Sequence, residues 1–188
     1  AGIGLTGQVQ VKVLLAAHMI LIRPCILWND QRTVDQCRVV TEQLGVKAVI
    51  KHTGNQILPG FTAPKIKWVA EDEPDNFPRI AKILLPKDFI RFKLSEGFYS
   101  EVSDASGTSL FDVKNRRWSP TMLDAFGVER AWLPEVTESP VASSYVSRQA
   151  AEEIGLLEGT PIVGGAGDQA AQAIGAGIIH EGDTSVTL

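Results

Sequence analysis

The chain has 188 residues, 44% of them hydrophobic and 21% charged, and 18 Lys plus Arg against 22 Asp plus Glu leave a net charge of −4. This is room for one ordinary domain with a buried core, which excludes a disordered chain, and the mild acidity argues against nucleic acid or an anionic membrane as partner, either of which wants a basic face. Apolar runs are short and none approaches the roughly 20 residues that span a bilayer, while Cys25 and Cys37, with no CxxC, read as free thiols of a cytoplasmic protein.

Residues 1–7 read as a buried strand entering a turn, and Val9, Val11 and Val13 alternate with polar neighbours as a strand does. A second strand is expected over Pro24, Cys25, Ile26, Leu27 and Trp28, ending at Asn29-Asp30. A helix follows from Arg32, with Val34, Cys37, Val40 and Leu44 on one face and Gly45 closing it. Val46 to His52 is a short helix and Thr53 to Gly60 a loop. Pro64 sits in the first turn of a helix carrying Ile66, Trp68 and Val69, stopped before Pro74. Phe77 to Lys82 is expected to be helical, then a brief apolar Ile83-Leu84-Leu85, a helix from Asp88 to Leu94, and a strand from Phe98 to Val102. Residues 103–108 form a loop of side chains that bond their own backbone. Residues 110–113 form a strand with a turn at 114–117. Ser119 and Ser147 cap helices ending at Gly127 and Gly155. Thr137 to Ser144 is a surface connection, and Pro161-Ile162-Val163 is a short buried strand meeting Gly164-Gly165-Ala166-Gly167-Asp168, where a small-residue helix starts. Helices alternating with short strands make the class α/β or α+β. The opening on residues 1–7 and the β-branched close over residues 184–188 lack the polar character of domain ends, and suggest a piece of a longer chain.

The strongest local constellation is the glycine turn before Asp168. Glycines at 165 and 167 let a backbone approach a ligand closely, and a helix start offers free N–H groups to anions such as phosphate. A carboxylate there suits the helix dipole and can orient a hydroxyl and take its proton. Equally, Asp168 is a helix cap and the glycines a tight turn; the spacing leaves both readings standing. Trp28-Asn29-Asp30 at a strand end offers a flat apolar face and hydrogen-bonding groups for a sugar, or a half-buried Trp beside a capping Asp. Gly7-Gln8 and Ser103-Asp104 are weaker candidates, the second also readable as an Asx turn. His18, His52 and His180 lie near no acid at ligand spacing, so a zinc site is not expected. There is no GxSxG elbow and no GxxxxGK[ST] loop, and the GxGxxG echo at Gly165-Ala166-Gly167 lacks its third glycine.

Five segments, in order, resemble the FGGY carbohydrate kinases: Arg23 to Asp30, Gly60-Phe61-Thr62-Ala63-Pro64-Lys65-Ile66-Lys67-Trp68-Val69, Leu84 to Phe89, Ser103 to Thr108, and Gly164 to Gln169. The resemblance covers essentially all 188 residues, and residues 60–69 carry the family signature. It implies an actin/hexokinase-like (ribonuclease H-like) N-terminal domain over residues 1–188, incomplete here, lacking the first phosphate-loop strands and the C-terminal nucleotide domain. It implies ATP- and Mg²⁺-dependent phosphorylation of a ketopentose, D-xylulose, at its terminal hydroxyl to give D-xylulose 5-phosphate, by a protein whose isolated fragment is inactive. Asp168 stands where the family keeps its base; Gln169 and Asp104 would be sugar ligands, Trp28 a pocket wall, and Gly165 and Gly167 nucleotide contacts. Gln8, Val9 and Gln10 occupy the substrate-binding Gly-Gln-Met-His-Gly segment, which reads Gly7-Gln8-Val9-Gln10-Val11 here. That departure leaves open a non-catalytic sugar-binding or scaffold version, or a kinase for ribulose, gluconate or glycerol. No protein metal ligands are assigned, and a homodimer is left open.

Overall fold

The computed structural model describes residues 1–186, and its backbone turns mainly on five two-stranded pairings wrapped by helices. β1 (Thr6–Gly7) runs parallel to β10 (Ala166–Gly167), with Gly7 opposite Gly167. β2 (Val13–Leu15) is antiparallel to β3 (Lys82–Leu84). The alternation of Val9, Val11 and Val13 does not make one strand. Val11, Lys12 and Val13 are all buried, so neither face is open to water, and Val9 and Gln10 form a turn with Gln10 at φ 65°. Pro24 to Leu27 pairs with no strand and Trp28 opens a turn; Pro24 has no N–H to offer, and Ile26 alone of Ile26, Leu27 and Trp28 is buried.

The helices α1 (Val34–Leu44), α2 (Val46–Thr53) and α3 (Thr62–Asp72) follow the apolar spacing and the Gly45 stop. They pack with α6 (Pro120–Phe126), whose Ser119 cap accepts from Met122 N–H, around Val40, Ile66, Val69, Met122 and Phe126. Phe77 to Lys82 is not one helix. A single 3₁₀ turn at Phe77–Arg79 gives way to β3, because pairing with β2 buries Ile83 and Leu84.

α4 (Pro86–Ser95) starts on a proline and leads to β4 (Tyr99–Glu101), parallel to β7 (Glu135–Thr137). The loop expected at residues 103–108 contains a helix, α5 (Val102–Ser106), because the Glu101 carboxylate caps it, accepting from Ser103 N–H at 2.7 Å and Asp104 N–H at 2.8 Å. β5 (Phe111–Asp112) and β6 (Arg117–Trp118) form the expected hairpin. The stretch from Thr137 to Ser144 is partly strand: it ends β7 and begins β8 (Ala142–Tyr145), antiparallel to β9 (Pro161–Val163). α7 (Arg148–Ile154) and α8 (Asp168–Gly175) form where expected. Residues 184–186 form no strand, and Thr187 and Leu188 lie outside the described residues.

Ile66 is fully buried in the main core while Leu157 is 79% exposed. Ile66→Ala is expected to lower the urea unfolding free energy by about 2–5 kcal/mol, and Leu157→Ala to stay within about 0.5 kcal/mol of wild type.

Candidate active site

Val9, Gln10, Trp28, Asp168 and Gln169 converge on a cleft of about 350 Å³. Three separate segments supply them: the turn after β1, the turn that Trp28 opens, and the start of α8. The parallel register of β1 on β10 fixes two of these segments together, since Gly7 pairs with Gly167 just before Asp168. Trp28 is 54% exposed, so an apolar wall stands open to the cleft. Asp168 is half-buried at the first position of α8 and accepts from Gln169 N–H.

Other expected residues lie elsewhere. Gln8 is half-buried beside the cleft but is not among its lining residues. Asp104 is 1% exposed and sits behind Gly167: its Cβ lies 3.7 Å from where a side chain at 167 would begin. A side chain at Gly165, whose φ is +73°, would overlap the Leu5 carbonyl, and one at Gly167 would press on Val9 Cγ1 at 2.8 Å. The openness these glycines give is taken up by the chain itself. Asp30, at the cleft's edge, forks to Arg32 at 2.8–3.0 Å, and Arg32 lies 4.7 Å over the Trp68 ring.

Beneath the Asp168 turn lies a wholly buried charge cluster that sequence reading missed. Lys87 Nζ is 2.7 Å from Asp88, 3.4 Å from Asp104 and 3.5 Å from Glu101, each side chain with no exposure. Arg91 joins Asp88 at 3.2 Å and donates to the carbonyls of Tyr99, Val163 and Gly164. Two cations therefore face three carboxyls. Burial lowers the Lys87 pKa, but Asp88, Asp104 and Glu101 more than offset it, so it lies above its ordinary value. Burial pushes the Asp104 carboxyl up to about 7, Lys87 opposing and Asp88 and Glu101 adding to the rise. Both directions fit one picture. The carboxyls around Lys87 hold it in its charged form, and Asp104, whose oxygens make no hydrogen bond, is a carboxyl that burial makes hard to ionise. Leu84-Leu85-Pro86-Lys87-Asp88-Phe89 was visible as a motif, but only the fold shows that its charges point inward.

A second buried cation, Lys65 on α3, lies under the opposite wall, donating to the carbonyls of Gln10 and Gly60. Burial holds its pKa down to about 8, with Asp30 and Cys37 opposing. Cys25 and Cys37 are free thiols, and burial pushes Cys37 up to about 11. Among the described residues no group of three His, Cys, Asp or Glu is placed to hold a metal ion, and no helix is long and apolar enough to cross a membrane. Asp168 is the one carboxylate lining the cleft, so its own side chains do not make the six-oxygen shell of a Mg²⁺ ion. A larger hollow of about 450 Å³ beside Gln43, Pro120 and Asp124 gathers none of the expected residues.

Residues 1–175 match the N-terminal domain of the FGGY family of carbohydrate kinases. The chain belongs to the FGGY carbohydrate kinases. It is 41% identical over 96% of its length to the xylulose kinase of Lactococcus lactis, covering 36% of that protein, and 38% identical over 99% of its length to that of Escherichia coli, again covering 38% of the relative. The crystal structure of a xyloylose kinase from Brucella ovis superposes with a TM-score of 0.90 at 42% identity, over 97% of this chain and 37% of that one. The chain thus spans little more than a third of these relatives. The fold is the actin/hexokinase-like one of the FGGY kinases, of which the chain covers the N-terminal part.

In this FGGY family member Asp104 binds its proton more tightly folded than unfolded. Its stabilising contribution is full below about pH 4, the unfolded carboxylate range, and is lost as pH rises through about 7. Asp104→Asn, which is neutral throughout, is expected to abolish this part of the pH dependence. Urea unfolding at about pH 5 and about pH 8 would show wild type losing on the order of a few kcal/mol relative to the variant.

Proposed function

We propose that the chain forms the sugar side of a kinase that transfers the γ-phosphoryl group of ATP to the terminal hydroxyl of D-xylulose, giving D-xylulose 5-phosphate. The observation that carries the reading is the convergence of Asp168, Gln169, Gln10 and Trp28 on one cleft from three distant segments. A cleft of about 350 Å³ suits a small ligand, with an apolar face to pack a sugar and a few polar groups to orient it. Xylulose as the sugar rests on the names of the relatives.

Phosphoryl transfer asks the protein mainly to position reactants and stabilise charge. Trp28 holds the carbon skeleton of the sugar, and the carboxamides of Gln10 and Gln169 hydrogen-bond its hydroxyls. Asp168, at the start of a helix anchored on β10, accepts the proton of the terminal hydroxyl as its oxygen attacks the γ-phosphorus. A bound Mg²⁺ neutralises phosphate charge, and no step of this chain's residues runs through it. Gln8, half-buried next to Val9, shapes the turn rather than touching sugar, and Asp104 and the glycines at 165 and 167 shape the wall that carries Asp168.

The test is Asp168→Ala in the whole protein. Expected is a loss of about 10²–10⁴-fold in xylulose-dependent ADP release, with sugar and ATP binding retained by calorimetry. Activity that survives the substitution removes Asp168 as the base, and activity on another sugar alone removes xylulose.

A further inference from the structure

Lys65 occupies a position that ordinary stability does not explain. Its side chain is fully buried, and it sits in the first turns of α3, where the helix dipole disfavours a cation. Among the described residues no carboxylate lies within ion-pair distance of its Nζ. Removing an ammonium from water without a paired anion costs several kcal/mol. An apolar residue of the same length would fill the space without that cost.

What the ammonium does instead is join two loops. Nζ donates to the Gln10 carbonyl at 3.0 Å and to the Gly60 carbonyl. Both loops build one wall of the cleft. Gln10 lines it, with its backbone in the left-handed region at φ 65°, which a residue other than glycine adopts at a cost. Gly60 abuts the Trp28 backbone: a side chain there would begin 2.9 Å from the Trp28 carbonyl and 3.3 Å from Gln10 Oε1. The Gln10 side chain also lies over Gly107, 3.5 Å from its would-be Cβ, so the turn is pinned on two sides.

We infer that Lys65 is a positioning residue for the sugar, a buried clamp that holds the Gln10 turn and the Gly60–Trp28 wall at a fixed separation. The cost of the buried cation is met by the two carbonyls, and the outcome is a preset cleft width rather than added stability. The inference rests on the reading that this cleft binds sugar. It assigns Lys65 no contact with sugar or phosphate; its effect passes through Gln10 and Trp28. A loosened wall weakens sugar binding while leaving Asp168, on the other side, in place.

The experiment compares Lys65→Met and Lys65→Gln with wild type in the whole protein, using D-xylulose and ATP. Methionine keeps the length and removes the charge and donors; glutamine keeps a donor on a shorter stem. Expected for Lys65→Met is a rise of about tenfold in the KM for xylulose, the scale of one lost hydrogen bond, with kcat and the KM for ATP within about twofold. Lys65→Gln is expected to fall between it and wild type. Hydrogen exchange is expected to quicken in residues 8–11 and 58–61 only. An unchanged sugar KM in folded variants, an equal fall in kcat with no change in KM, or failure of both variants to fold overturns the proposal, the last by making Lys65 a purely structural residue. If wild type itself neither binds nor turns over xylulose, the sugar-kinase reading fails instead; normal wild-type turnover with unchanged variants sinks the clamp alone.

Discussion

Five ionisable side chains buried together, Lys87, Asp88, Arg91, Glu101 and Asp104, tie together parts of the chain that are far apart in sequence. Buried charges are costly unless each is met by an opposite charge or a hydrogen bond. Here meeting them forces an arrangement. The Nη atoms of Arg91 find their carbonyl acceptors only because the Tyr99 end of β4 and the Val163–Gly164 end of β9 both face α4. Glu101 caps α5, bonds Ser139, and holds Ser103, whose hydroxyl accepts from Gly167 N–H at 3.0 Å. The turn carrying Asp168 is thereby tethered at Gly164 and at Gly167 to a cluster that cannot move without exposing an unpaired charge.

The opposite wall follows the same logic with a smaller device. Arg91 grips carbonyls beneath the Asp168 side, and Lys65 grips carbonyls beneath the Gln10 and Trp28 side. In each case the cation comes from a helix and the carbonyls come from strand ends or loops, so helices rigidified by the core set where those segments lie. Apolar packing alone would leave such loops free to slide, because it is not directional. Lys12, buried nearby with no partner for its Nζ among the described residues, shows the contrast: burial and then Lys65 push its pKa well below the ordinary value, and it links nothing.

Much of this was legible in the sequence where local physics decides. Apolar spacing with Gly45, Gly127 and Gly155 marks the ends of α1, α6 and α7, and Ser119 and Ser147 cap as their positions suggest. The Asp168, Gln169, Trp28 and Gln10 grouping came from family resemblance, and the fold places those side chains on one cleft. What failed was whatever depends on distant partners. The valine alternation at 9, 11 and 13 looks like a strand only if one face meets water, and here Lys12 goes inside as well. Residues 103–108 looked like a loop because the cap that makes α5, Glu101, lies just before the Ser-rich stretch and gains its strength from burial. The inward turn of Lys65, Lys87 and Arg91 was not legible, since nothing local says that a lysine or an arginine will find its acceptors 55 or 73 residues away.

These observations separate two properties of the cleft. Its shape belongs to the backbone. The close approach of Gly60 to Trp28 and of Gly167 to Val9, with cations beneath each wall, leaves little freedom in where the segments sit. Its chemistry belongs to the few side chains that face inward, Val9, Gln10, Trp28, Asp168 and Gln169. A change at position 9 or 10 alters what the wall offers a hydroxyl without disturbing the carbonyl that Lys65 holds, because that carbonyl is main chain. Val9 and Gln10 can therefore change in side chain while the cleft itself persists. The side chains of the wall can thus vary at its surface, whereas the placement of Asp168 is locked to the buried charges behind it.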